Sequence, residues 1–473
     1  MSSYKTTVGI EVHAELKTES KMFCACRNEP HAAEPNMHIC PVCMAHPGTL
    51  PTVNKQAVSY LFQIGKAIGG TLAEYSEFDR KNYFYPDIPK AYQISQLQFP
   101  FVTGGELGGV AITRIHLEED TARSQHDQGD GSLVDFNRAG VPLMELVTEP
   151  VIHDSKEAGD FAKELQLMLR TLGLSDANME KGEMRVEANI SVSKDDTLGT
   201  KVEVKNLNSF KSVESAIDFE TKRQIELIEK GELVLQETRG WDENKGKSFS
   251  QRMKESADDY RYFPDPDIPK FLRSQVPEFS DSRVSEIIKK TPSFKRNYYA
   301  NLGLPVDQIE IIISDNKRDK FVLEALESVD KPESIAKAVA NYFTSDVLSI
   351  IDSGDVSLET ANPSYFAQLV RMVSQNEITS RVAKDILKEV VFECNEPNQL
   401  AKSRNLLQQN NADELVPLIK SILADNQSVV DEYRSGKGSA IQFLVGQGMK
   451  VTRGSANPAV LLSLLIKEIE SQK

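Results

Sequence analysis

Residues 8–16 read Val-Gly-Ile-Glu-Val-His-Ala-Glu-Leu, and their alternation decides the fold class. In an extended chain, successive side chains point to opposite faces. Ile10, Val12 and Ala14 therefore share one face, and Glu11, His13 and Glu15 share the other. This is the signature of a strand with one buried and one polar side. The pattern recurs over the next 200 or so residues. Arg114, His116 and Glu118 share a face, with Glu119 and Asp120 just beyond. Glu145 and Glu149 share one, as do Arg185, Glu187 and Asn189, set against Val186, Ala188 and Ile190. Lys201, Glu203 and Lys205 alternate with Val202 and Val204.

Five strands that each place acids on one face create repulsion, which a bound cation relieves. Carboxylates with an imidazole suit Mg²⁺ or Mn²⁺ carrying nucleotide phosphates. The same pattern also describes the solvated face of an antiparallel sheet. The chain has neither a G-x-x-x-x-G-K-[ST] loop nor a G-x-G-x-x-G turn. A bound nucleotide would therefore lie on the sheet. Arg80, Lys81, Lys201 and Lys205 are candidates to meet its phosphates, and each can equally be a surface charge.

Around these strands the sequence predicts a helix from Asp154, its cap, to Gly173, its stop. Its apolar stripe is Ala158, Phe161, Ala162, Leu165, Leu169 and Leu172. A second helix is expected over Ser212–Lys230. The class is α+β, with a large, mostly antiparallel sheet. From residue 291 onward the pattern is helix after helix, with breaks at Asp315–Asn316, Ser353–Gly354 and Asn362–Pro363. Asn457–Pro458 is a cap followed by a first-turn proline. The expected domains are 1–290, then all-α segments 291–400 and 401–473. A short echo links 85–90 with 263–270, too short for a repeat architecture.

The chain's 473 residues imply more than one core. The formal charge of −15 argues against an unspecific nucleic-acid binder. Residues 401–473, however, carry nine Lys+Arg against seven Asp+Glu. Lys437, Lys450 and Arg453 flank a glycine-containing helical stretch there and can meet phosphates or simply solvent. No stretch is apolar for long enough to cross a bilayer and no signal peptide is read, so a cytoplasmic protein is expected. Four of the five cysteines fall in one window, Cys24-x-Cys26-x13-Cys40-x-x-Cys43. Paired thiolates at this spacing predict a structural Zn²⁺, with His31, His38 and His46 as alternative ligands. Four sulfur ligands leave no position open for substrate. Cys394 stands alone.

Long stretches resemble the B subunits of tRNA-dependent amidotransferases. They include VGIEVHAELKTESKMF at 8–23, FDRKNYFYPDIPKAYQISQ at 78–96, IHLEEDTARS at 115–124 and SLVDFNRAGVPLMELVTEP at 132–150. MRVEANISV at 184–192, KVEVKNLNSFKSV at 201–213, QETRGWDENKGKS at 236–248 and KESADDYRYFPDPDIP at 254–269 continue it. GKGSAIQFLVGQGMKVTRGSANP at 436–458 closes it. The resemblance covers nearly the whole chain, in order.

The resemblance implies a cradle-shaped sheet domain, a helical domain and a helical tail that grips tRNA. It implies a ligase of protein biosynthesis acting on Glu-tRNA(Gln) or Asp-tRNA(Asn). ATP phosphorylates the side-chain carboxylate, and ammonia then replaces the phosphate. An amidase partner supplies the ammonia, and a small linker protein joins the two in a heterotrimer. The implied Mg²⁺ site uses Glu11 and His13, the pair Glu118 and Glu119, and Glu187. Many members have Cys-Asp where Val186-Glu187 stands here, and the cysteine knuckle occurs in only some. The contrasting reading is a non-catalytic, zinc-stabilised scaffold that presents tRNA to partner enzymes. A scaffold for RNA would line the sheet with Lys and Arg instead of acids. The related two-subunit archaeal enzymes carry an inserted domain for which the spacing of motifs leaves no room.

Overall fold

The computed structural model describes residues 4–31, 34–125, 131–253, 259–354, 356–408, 412–452 and 456–471. The chain divides into two units, Met1–Phe294 and Lys295–Lys473.

The first unit is built on one large sheet. Its long strands are β1 (Lys5–Glu15), β2 (Val110–Glu119), β3 (Pro142–Thr148), β4 (Met184–Ser193), β5 (Val202–Leu207), β6 (Glu237–Asp242) and β7 (Lys247–Met253). The spatial order is β7-β6-β5-β4-β1-β3-β2, extended beyond β2 by the short strands Val102–Thr103 and Thr71–Leu72. Neighbours run antiparallel except β5 and β6, which are parallel. A parallel pair needs a crossover, and the helix between them, α3 (Phe210–Glu229), supplies it. The sheet is thus mostly antiparallel, as the alternation implied.

Three helices cover the apolar face: α1 (Lys55–Ala67), α2 (Ser155–Thr171) and α3. Ile10, Val12, Ala14, Leu117, Leu146, Val186 and Ala188 meet Leu61, Phe62, Phe161, Leu165, Val213 and Ile217 in one core. Each of the Val, Leu, Ile and Phe side chains among them contributes about 1.5–3 kcal/mol on burial. Asp154 caps α2 by accepting the Glu157 N–H at 2.8 Å, and Gly173 follows in the left-handed region at φ +71°. Gly65 of α1 admits close approach to the sheet: a Cβ there would lie 2.6 Å from Val102.

With one face sealed, the other is the polar face of β1–β5. Beside it stands a small sheet of Phe263–Pro264, Asp79–Asn82 and Tyr92–Ser95, in that order. It pairs the start of the 263–270 segment with the strand that precedes 85–90: Arg80 pairs with Phe263.

The second unit is helical in its described residues. Asp315 and Asn362 cap helices at the expected breaks. Helices Ala412–Asp425, Gln427–Arg434, Ala440–Val451 and Pro458–Ser471 share a core of their own, from Leu415 to Ile469. Asn457 accepts the Ala459 N–H at 2.9 Å, the cap that its position before Pro458 predicts. Among the described residues no helix is long and apolar enough to cross a membrane.

Candidate active site

The strand register builds the site. Across β4-β1-β3-β2, Arg185 faces His13, His13 faces Glu145, and Glu145 faces His116. Directly opposite residues in an antiparallel pair share a face, so this is one continuous polar row. Glu11 faces Glu187 one step along, and Asn189 faces Glu203. The row lines a cavity of about 450 Å³, whose walls also carry Lys81, Tyr83, Arg114, Lys201, Lys205, Tyr260 and Tyr262.

Two ligand clusters result. In the first, His13 Nε2 lies 3.6 Å from Glu118 Oε1 and 3.3 Å from Glu145 Oε2. His116 Nε2 approaches Glu145 Oε2 at 3.4 Å, and Arg114 approaches Oε1 at 3.7 Å. Burial disfavours an imidazolium at His13. The Glu145 hydrogen bond, with the charges of Glu145, Glu118 and Glu187, outweighs burial and raises its pKa to about 9. Burial also pushes the Glu145 carboxyl up, but His116 and His13 hold it well below the usual carboxylate range. Imidazolium here supplies the positive charge that the two acids need. The second cluster is Glu11, Glu187 and Glu203, whose ligand oxygens lie within 4.8 Å of one another. Lys205 Nζ approaches Glu187 at 2.9 Å and Glu203 at 3.6 Å. Three carboxylates this close repel one another, and Lys205 offsets part of that charge.

Both donor sets fit a hard divalent cation: converging carboxylates, one imidazole and a polar cavity for water. The first would be held by His13, Glu118 and Glu145, the second by Glu11, Glu187 and Glu203. Lys81 stands in the same cavity. Burial opposes its charge, yet Glu118, Tyr262 and Glu145 hold its pKa well above the ordinary lysine value. Asp120 forms a fork with Arg185 at 3.0 and 3.2 Å. Burial raises its pKa, but Arg185 and Arg138 bring it down to about 2.

The expected single group of Glu11, His13, Glu118, Glu119 and Glu187 is therefore divided, and one member is misplaced. Glu119 follows Glu118 along β2 and so points the other way. It accepts Lys90 Nζ at 2.7 Å and the Ile94 N–H at 3.0 Å, outside the cavity lined by Glu118. Arg80 also leaves the expected phosphate set: its guanidinium binds Asp265 at 2.9 Å and Asp267 at 2.7 Å. Lys81, Lys201 and Lys205 do line the cavity. His116, Glu145 and Glu203 complete the clusters. Alternation already set them on polar faces, but which acids converge is a matter of register.

The cysteine knuckle is a separate site. Sγ atoms of Cys24, Cys26, Cys40 and Cys43 lie within 4.8 Å of one another, and all four are free thiols. Cys40 and Cys43 Sγ are 3.9 Å apart, close to the ~3.8 Å edge of a tetrahedron with ~2.3 Å Zn–S bonds. The donor set fits zinc. The alternative ligands turn elsewhere: His31 to Glu15 at 3.8 Å and His38 to Glu29 at 3.4 Å. His46 lines a cavity that Cys24 and Cys43 also line. In the tail, Lys437 precedes helix Ala440–Val451 and Lys450 sits in its last turn, while Arg453 lies outside the described residues.

Two family models match the chain: the GatB/GatE catalytic domain over residues 6–276 and the GatB domain over 322–469. A protein of Caldicellulosiruptor saccharolyticus is 41% identical, with 99% of each chain covered. One of Thermoanaerobacter pseudethanolicus is 40% identical over 98% of this chain and 99% of its own. One of Synechocystis is 38% identical over 98% of each. All three are named as the B subunit of an aspartyl/glutamyl-tRNA(Asn/Gln) amidotransferase. Matches of this extent, on a chain whose acid-lined sheet falls within the matched catalytic domain, have one meaning: it belongs to the B-subunit family of the aspartyl/glutamyl-tRNA(Asn/Gln) amidotransferases.

Proposed function

We propose that this chain is the subunit that activates and amidates the amino acid on misacylated tRNA. ATP phosphorylates the side-chain carboxylate of Glu-tRNA(Gln) or Asp-tRNA(Asn), and ammonia then displaces the phosphate. The observation that carries this reading is the pair of carboxylate clusters facing one cavity beside half-buried lysines and arginines. A carboxylate approaching a γ-phosphate meets strong anion–anion repulsion. Mg²⁺ at His13, Glu118 and Glu145, and at Glu11, Glu187 and Glu203, would supply the neutralising charge. Lys81 and Arg114 face the same space and can hold phosphate oxygens in line. The substrate carboxylate is itself the nucleophile, so no protein nucleophile is required. The Asp120–Arg185 fork ties β4 to the residue just past β2 in the wall of the cavity.

Ammonia would come from an amidase partner joined through a small third protein in a cytoplasmic heterotrimer. A closed passage would protect both ammonia and the acyl phosphate from water. The reading takes residues 1–290 as the catalytic cradle, 291–400 as a helical domain and 401–473 as the tRNA-gripping tail, with Lys437, Lys450 and Arg453 toward phosphates. Zinc at the knuckle would fold the 24–43 loop and take no part in the chemistry.

The test is Gln-tRNA formation from Glu-tRNA by the reconstituted complex. Wild type should require ATP and Mg²⁺. Glu145→Gln should assemble normally and lose ATP-dependent phosphorylation. Unchanged turnover in that variant would overturn the assignment.

A further inference from the structure

Lys21 is among the largest side chains buried completely in this protein, only 1% exposed. Its ammonium has no carboxylate within ion-pair distance among the described residues. Its side-chain contacts are the Phe136 carbonyl, at 3.1 Å, and Cys43 Sγ, at 4.0 Å. A buried ammonium without a counter-charge costs several kcal/mol. Of these two contacts, the one that can be anionic is the Cys43 sulfur, on a residue itself 5% exposed. Four thiolates around Zn²⁺ leave two net negative charges. Cys43 Sγ also takes the Cys40 backbone N–H at 3.2 Å. Gly140, in the left-handed region at φ +88°, packs against the pair: a Cβ there would sit in ordinary contact, 3.5 Å from the Lys21 stem, 3.7 Å from Cys43 Cβ and 3.9 Å from Glu119 Oε2.

We propose that Lys21 is the outer-sphere cation of the four-cysteine metal centre. Its ammonium donates to the Cys43 thiolate, the buried sulfur of the four, halves the net charge of the centre and lowers the nucleophilicity of that sulfur. The arrangement also joins the knuckle to the turn before β3, since Phe136 shares the ammonium and Met22 N–H donates to Gly140 O at 2.7 Å. Partners outside the ligand shell commonly set metal retention by 10–100-fold. The proposal rests on the zinc reading of the knuckle, and the experiment separates the two.

The experiment uses the full chain, purified with zinc. Zinc per chain is measured first, then the rate of zinc transfer to a chromophoric chelator, and the rate of iodoacetamide alkylation at Cys43 by peptide mass spectrometry. Lys21→Met keeps the stem and removes the charge. Lys21→Gln keeps a donor without the charge and serves if the Met variant does not fold by circular dichroism. The expected result is zinc transfer about tenfold faster in the neutral variants, with faster alkylation of Cys43. Wild type lacking stoichiometric zinc overturns the zinc reading and this proposal with it. Zinc-loaded variants that release metal and alkylate at wild-type rates overturn the role of Lys21 alone.

Discussion

Glu118 and Glu119 are neighbours on one strand, and the pleat sends them to different tasks. Glu118 lies 3.6 Å from His13 and takes the Ser95 hydroxyl at 3.1 Å. Glu119 is closed off by Lys90 and the Ile94 N–H. Glu118→Gln should therefore cut phosphorylation of Glu-tRNA by about 10²–10³-fold. Glu119→Gln should retain turnover and lose about 1–3 kcal/mol of stability, read from urea unfolding. Equal loss of activity in the two would contradict this division. His13 gives a pH signature. Its folded pKa, raised to about 9, lies above the value near 6.5 expected when unfolded. Its contribution is complete below about 6.5 and is lost as pH rises through 9. Metal-free wild type should lose stability relative to His13→Gln over that window, seen as converging urea midpoints.

At the scale of elements, caps and staples carry local effects. The Asp154 carboxylate holds the first turn of α2, which packs Phe161 and Leu165 on the sheet. Asp154→Ala should cost about 1 kcal/mol of stability, read from urea unfolding. The 24–43 loop is tied down by side-chain bonds to the 133–137 segment, and zinc at its four sulfurs, as proposed, would add to this. There Asn137 accepts the His38 N–H at 2.8 Å, and Asn36 accepts the Phe136 N–H at 2.7 Å. Removing the proposed zinc should expose thiols to alkylation and speed proteolysis within 24–43, while the sheet stays folded. Limited proteolysis with and without chelator measures this. Global unfolding on chelation would show that the knuckle supports the whole unit.

At the scale of the whole molecule, the tail helices from Ala412 to Ser471 enclose their own core. A chain ending after Ser403 should therefore keep the sheet unit folded and the proposed ATP-dependent phosphorylation intact. Its KM for Glu-tRNA should rise about tenfold, on the expectation that the tail supplies phosphate contacts sensitive to salt. The complementary check is Lys437→Ala with Lys450→Ala, which should flatten the salt dependence of tRNA binding. An unchanged KM in the truncated chain would remove the tail from tRNA recognition.

Much of this was legible in the linear chain because it rests on local rules. Period-two alternation shows a strand's faces, a cap residue shows a helix start, and paired cysteines show a tetrahedral site. Hence the sheet class, Asp154, Asn457 and the cysteine window could be read directly. Family resemblance supplied the chemistry, and with it a metal set that included Glu119. What the linear pattern does not contain is which strands lie side by side and in what register. Only pairing in space placed His13 between Glu145 and Glu118, gathered Glu11 with Glu187 and Glu203, and committed Arg80 to Asp265 and Asp267. Alternation is a property of each strand alone. Register is fixed by contacts between residues up to some 190 positions apart along the chain, such as Lys5 opposite Ser193, and it settles only when the core beneath the sheet is packed.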